Sequence, residues 1–235
     1  MDNETTIRKD LAAVYRLVHH FGWDDLIFTH ISAKIPGTET FLINQFGLMF
    51  NEVTASNLVK VDISGNVIGN GSINPAGFLI HSAIHEARPE VGCVIHTHTL
   101  SGIAVSIDND GLQPISQQSL VALNSLAYHN YQGLVIDSRE KKSIQDNLSN
   151  KNFMILRNHG LLTVGTSVSD AFLNMRVLQQ ACDIQVMCNK DTATKISAEV
   201  IENNKLKIGH AGAIRSIAWS ALIRIVERFY SDYAN

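Results

Sequence analysis

Short apolar runs rich in β-branched residues alternate with longer amphipathic stretches along this chain, and that alternation most constrains its fold. Residues 153–157, FMILR, read as a buried strand, and residues 91–98, VGCVIHTH, as another. Further strands are predicted over 27–34 and 40–45 about the Pro36-Gly37 turn, over 58–62, 67–69 and 133–136, and over 161–164. Between them lie helical patterns. Ile7, Leu11, Val14, Tyr15 and Val18 share one face of a helix over 7–21 that Gly22 stops. Pro75 opens a helix over 76–87 and Pro89 closes it. Shorter helices are expected over 117–126 and 138–149, and a short helix or an extended turn over 101–106. A long one runs from the N-cap Ser167 to about Asn189, with Asp170 close to completing a capping box. Residues 190–208 are polar and loosely patterned, and a final amphipathic helix is expected over 211–231. Strands and helices alternating throughout predict an α/β architecture with helices covering a sheet. No linker or repeat divides residues 1–235, so a single domain is expected, with 190–235 as a C-terminal extension.

Composition narrows the function classes. With 45% hydrophobic and 17% charged residues, the chain can build a substantial core. A net charge of −3 and the absence of a Lys/Arg cluster beyond Lys141-Lys142 argue against a nucleic-acid partner. No run of about 18 apolar residues predicts a membrane span. The polar start Met1-Asp2-Asn3-Glu4 predicts no signal peptide, and hence a cytoplasmic protein. Cys93, Cys182 and Cys188 lack CxxC spacing and fit three reduced thiols.

Three of the ten histidines share a chemical logic. His96 and His98 are two apart on a strand pattern, so both imidazoles project from one face. His159 follows another apolar strand and precedes Gly160, in a turn suited to presenting a ligand. Three imidazoles suit zinc, with manganese, cobalt, iron or nickel as alternatives, and leave a coordination position open. Spacing alone fits half-exposed surface histidines equally well.

The run Asn74–Thr99, NPAGFLIHSAIHEARPEVGCVIHTHT, resembles the central segment of the class II aldolase and adducin head-domain family. LRNHG at 156–160 and GTSVSDAF at 165–172 resemble the same family, as does the order of elements from about residue 7 to 189. NPAGF and PISQQSL are more similar to its adducin-like branch than to the sugar-phosphate aldolases. The resemblance implies a three-layer α/β/α sandwich with a largely antiparallel central sheet. It implies a divalent metal, most often zinc, at His96, His98 and His159, and a homotetramer with the site near a subunit interface. There the C-terminal segment bearing Trp219, Phe229 and Tyr230 could pack on a neighbour, or equally on its own sheet.

The family's aldolases cleave a carbon–carbon bond beside a carbonyl. The metal stabilises the enediolate, and a glutamate near it moves the proton. That glutamate stands four residues before a histidine, here His81, so its position is Gly77. The phosphate-holding serines before it are replaced by Pro75-Ala76, the Gly-Asn-x-Ser loop by Thr29-His30-Ile31-Ser32, and the Thr-Pro-Ser-Gly segment by Asn44-Gln45-Phe46-Gly47. His30 and His81 are the candidates to replace the carboxylate. His30, Gln45, Gly47 and Gln117 are the substrate-binding candidates, with Gln118 and Arg157 as further possibilities. Tyr128, His129 and Tyr131 read as structural.

These expectations point to a metal-dependent carbon–carbon lyase, aldolase-like or decarboxylase-like, acting on a small hydroxy-carbonyl or carboxylate substrate. The alternative is a non-catalytic adducin-like interaction protein that keeps the metal site. An iron-dependent oxygenase is a minor third reading.

Overall fold

The computed structural model describes residues 4–133, 138–189, 192–205 and 212–235. In chain order the elements are α1 (Glu4–His20), β1 (His30–Lys34), β2 (Thr40–Ile43), β3 (Val59–Asp62), β4 (Val67–Ile68), α2 (Pro75–Ala87), β5 (Cys93–Thr97) and α3 (Leu100–Ile107). They continue with α4 (Gln117–Leu123), β6 (Leu126–His129), α5 (Ser138–Leu148), β7 (Phe153–Leu156), β8 (Gly160–Gly165), α6 (Val168–Met187), α7 (Ala198–Lys205) and α8 (Gly212–Phe229). The strands form one sheet in the order β4-β3-β2-β1-β5-β8-β7-β6, antiparallel at every pairing except β6 with β7.

Both faces of the sheet are covered, which explains the apolar runs. In β5, Cys93 and Ile95 face α1 and α6 in a cluster with Leu11, Leu17, Phe172 and Met175. Val94 faces the opposite way, into a cluster with Ile80 and Ile84 of α2 and Ile144 of α5. The expected three-layer sandwich is therefore present. β1 follows the same alternation: Ile31 and Ala33 join the first cluster, while His30 and Ser32 turn toward α2. The Tyr15 hydroxyl fastens α1 to the sheet. It donates to the Ile31 carbonyl and accepts from the amides of Ile31 at 2.9 Å and Asn44 at 3.0 Å.

Several boundaries differ from expectation. The helix expected over 117–126 ends at Leu123, and Leu126–His129 is a strand. Pairing with β7, from Leu126↔Phe153 to His129↔Leu156, overrides the helical pattern there. β1 begins at His30, and β5 ends at Thr97, so His98 stands one residue beyond its strand. Ser167 caps α6 by accepting from the Asp170 amide, but Asp170 turns to Thr166 and Arg215 instead of closing a capping box. The strand expected over 133–136 falls largely outside the described residues. A helix, α7, lies in the stretch that pattern left unassigned. The C-terminal segment packs on its own chain: Trp219, Leu222 and Ile223 lie against the first cluster, and Arg16 pairs with Asp232 at 2.9 Å. All three cysteines are free thiols, Cys93 and Cys182 buried and Cys188 exposed. No helix among the described residues is long and apolar enough to cross a membrane.

Candidate metal centre

The candidate site lies where β1, β5 and the β7–β8 turn meet. His30 and His96 are directly paired across the antiparallel β1–β5 ladder, so their rings share one face, 5.1 Å apart between centroids. His159 sits in the short turn joining Leu156 to Gly160, where Asn158 takes the left-handed conformation at φ 58° that asparagine tolerates well. Gly160 is required by close approach. A Cβ there would stand 2.4 Å from the Thr97 carbonyl oxygen and 3.2 Å from the His98 ring.

The Nε2 atoms of His96, His98 and His159 form a triangle with sides of 2.9, 3.0 and 3.3 Å. A tetrahedral zinc ion with bonds of about 2.05 Å holds its nitrogens about 3.3 Å apart. The tautomers strengthen the match. His96 Nδ1 lies 2.9 Å from the Leu161 carbonyl, which can only accept, so the proton is on Nδ1. His98 Nδ1 lies 3.0 Å from an Asp25 carboxylate oxygen, which likewise draws the proton to Nδ1. Their facing Nε2 atoms therefore carry bare lone pairs at 2.9 Å, which repel unless a cation stands beside them. A backbone carbonyl and a carboxylate holding the far nitrogens are the partners that metal-binding histidines use. The residues present fit a divalent ion.

The environment keeps His96 and His159 neutral. Burial first, then the neighbouring His98, lowers His159 to about 4 and holds His96 well below the usual imidazole range. Burial likewise brings His30 down to about 3, with His98 and His159 adding to the effect.

His30 occupies a particular place. Its ring lies against the backbone of Gly77, at the first turn of α2. A Cβ on Gly77 would meet His30 Cδ2 at 2.5 Å, Cγ at 2.8 Å and Nε2 at 2.9 Å. The imidazole thus fills the space that a side chain at position 77 would need. His30 Nδ1 is 2.8 Å from His81 Nε2, so His81 supports His30 from behind. The start of α2 borders the same cavity, but Asn74 Oδ1 already accepts from the amides of Ala76 at 3.1 Å and Gly77 at 3.5 Å. Those amides are therefore engaged.

The cavity measures about 470 Å³ and is lined by the three histidines, His30, Asp25, Phe28 and Tyr131 among others. Tyr131, expected to be structural, therefore faces the site. Gln45, Gly47 and Gln117 do not line this cavity, nor does Gln118. Gln45 bonds Ser72 at 2.9 Å, and Gly47 forms a turn with φ 95°. Arg157 lies 4.3 Å above the Tyr128 ring and donates to the Asp108 carbonyl at 2.6 Å, a structural role. His129 accepts from Asn147 at 2.8 Å. Asp25 escaped the sequence reading because 73 residues separate it from His98 and no spacing links them.

Comparison with known proteins gives a consistent result. The model of the class II aldolase and adducin N-terminal domain matches residues 9–186. A Pseudomonas aeruginosa protein provisionally named an aldolase class 2 protein is 53% identical over 241 residues, covering 98% of this chain and 92% of its own length. Alpha-adducin of Rattus norvegicus is 49% identical over 189 residues, covering 78% of this chain but 26% of the adducin. The solved structure of L-fuculose 1-phosphate aldolase from Glaciozyma antarctica superposes with a TM-score of 0.86 at 30% identity, covering 98% of this chain and 92% of that one.

Proposed function

The chain belongs to the class II aldolase and adducin N-terminal domain family, and on that premise we propose that it is a metal-dependent carbon–carbon lyase. Its substrate is a small hydroxy-carbonyl or carboxylate compound without phosphate. The observation that carries the proposal is the triangle of Nε2 atoms on His96, His98 and His159, with Nδ1 of His96 and His98 held by Leu161 and Asp25.

A divalent ion bound there, zinc first among the candidates, supplies Lewis-acid polarisation of a substrate oxygen. The protein's own groups do the rest. His30 reaches the cavity from the place of the family's glutamate and is the group available to exchange a proton with the substrate. Tyr131 and Phe28, 53% and 52% exposed, wall the mouth of the cavity with aromatic surface. Engagement of the α2 amides by Asn74 argues against phosphate as the handle. A second copy of the chain covering the exposed rings would complete the pocket, so a homo-oligomer is proposed, tetrameric by family. Sedimentation of a monomer would remove that part.

The experiment has two steps. Metal content of protein purified without chelator is compared with that of the triple His96→Ala, His98→Ala, His159→Ala variant. About one ion per chain against none is expected, and equal content overturns the site. The metal-loaded protein is then assayed with hydroxy acids, keto acids and sugar phosphates for aldehyde or carbon dioxide release. A second reading is favoured by one observation, the lack of any carboxylate at position 77 combined with similarity to alpha-adducin. On it the chain is a non-catalytic, metal-containing interaction protein. Metal binding without release from any substrate class selects this reading.

A further inference from the structure

The hydrogen bonds of His30 do not end at His81. His81 Nδ1 lies 2.5 Å from Ser32 Oγ, and Ser32 Oγ lies 2.7 Å from His85 Nε2. All four side chains are buried, His81, Ser32 and His85 completely. They meet because His30 and Ser32 are alternate residues of β1, while His81 and His85 stand one turn apart on α2. The last atom of the series, His85 Nδ1, is buried and has no hydrogen-bond partner. His85 borders a second cavity of about 600 Å³, which Lys34, Glu39 and Glu86 also line. Three interior imidazoles bridged by one hydroxyl are costly to bury for packing alone, because apolar side chains would fill the space without polar groups to satisfy.

We propose that His30, His81, Ser32 and His85 form a neutral proton wire between the candidate metal cavity and the cavity beside Lys34 and Glu86. The proposal deepens the lyase reading and rests on it for the use of His30. In the outward direction His30 Nε2 takes a proton from the substrate, and His30 Nδ1 passes its own to His81 Nε2. His81 Nδ1 passes one to Ser32 Oγ, Ser32 passes its hydroxyl proton to His85 Nε2, and His85 Nδ1 releases one to a water that enters from the second cavity. Each ring gains one proton and loses one, so none becomes a cation. The reverse passage delivers a proton to the substrate. Neutral rings are what the surroundings of the inner pair enforce: burial above all lowers His85 to about 3 and holds His81 well below the usual range, with Lys34 also disfavouring charge on His85.

Connectivity imposes a sharp condition. Before outward transfer His30, His81 and His85 all carry the proton on Nδ1, and after it all carry it on Nε2. A working wire therefore requires the three rings to share one tautomer, or one common mixture of the two. The competing arrangement has Ser32 accepting from both His81 Nδ1–H and His85 Nε2–H, which splits the tautomers and blocks passage.

The test is ring-nitrogen NMR on the intact chain labelled with 15N-histidine, at neutral pH, with signals assigned through single-histidine variants. Three neutral rings with matching tautomer populations are expected. A cationic ring, or His81 on Nδ1 with His85 on Nε2, overturns the proposal. Ser32→Ala is expected to make the His85 populations depart from those of His81, and Ser32→Thr to keep them matched. Unchanged populations in Ser32→Ala also overturn it, and if that variant does not fold the wild-type spectrum decides alone. No metal or substrate enters the measurement, so it can fail while the lyase assay succeeds, and the reverse.

Discussion

Replacing Gly77 by alanine tests whether His30 holds the space of a side chain at position 77. A methyl group there would stand 2.5 Å from His30 Cδ2, where carbon atoms normally sit about 3.5–4 Å apart. The ring cannot step aside freely, because β1 pairing fixes its backbone opposite His96 and a 2.8 Å bond ties it to His81. Overpacking of this kind costs about 1–3 kcal/mol. Position 77 lies inside α2, where exchanging glycine for alanine would by itself gain about 0.5–1 kcal/mol. Gly77→Ala is therefore expected to destabilise the wild-type chain, yet to be neutral or stabilising in a His30→Ala background. The unpaired His81 that His30→Ala leaves is present in both arms of that comparison and cancels. Urea unfolding of the four chains at one protein concentration gives the coupling, expected to be about 1–3 kcal/mol. Melting temperature should follow at about 2–4 °C per kcal/mol for a chain of this size. Equal effects of Gly77→Ala in both backgrounds, within the roughly 0.5 kcal/mol expected of independent sites, would refute the exchange of space between the two residues.

Three further outcomes are expected. Asp25→Ala removes the carboxylate from His98 and should weaken zinc binding about 10- to 100-fold with little effect on folding, since Asp25 is 41% exposed; competition against a chromogenic chelator reads this, and unchanged affinity counts against the carboxylate's role. His30 and His85 have folded pKa values near 3, below the ordinary 6.5, so the unfolded chain binds more protons between these limits. Their contribution to stability is complete above about pH 6.5 and is lost as pH falls toward 3, by about 1.4 kcal/mol per pH unit for each ring; a flat urea midpoint between pH 7 and 4.5 in chelator would contradict it. Tyr15→Phe leaves the amides of Ile31 and Asn44 without their acceptor and should cost about 1–3 kcal/mol, measured by urea unfolding.

The layered architecture was legible because β5 and β7 are apolar at positions facing both ways, a pattern that only a sheet covered on two faces satisfies. β6 was not legible. Its residues LAYH carry no alternation that separates them from the helix before them, and only the partner strand β7 decides. The candidate metal histidines were visible as a pair and a distant third, but the geometric reason offered for the pair holds only in part. His98 lies past the end of β5, and its aim comes from Asp25, a loop residue with no motif around it. The interior wire was hidden more deeply. His30 and His81 each drew notice singly, yet Ser32 and His85 acquire meaning only when β1 is laid against α2.

Read along the sequence, Gly77 is a loss: the resemblance places a glutamate there, and only His30 and His81 stand as candidates to replace it. In space the same glycine is a permission. It lets an imidazole from β1 enter a volume that a carboxylate on α2 would otherwise fill, so the absence at one position and the histidine at another are one physical fact. The exchange also alters the charge of the site. A carboxylate at position 77 would bring a negative charge to the cavity, whereas burial keeps His30 neutral. If the proposed divalent ion is held by the three imidazoles, that difference would leave more positive charge for a substrate to meet, with Asp25 already committed to His98. Under the proposed function, a small anionic carboxylate would answer that charge without a phosphate group, since Asn74 already engages the helix amides.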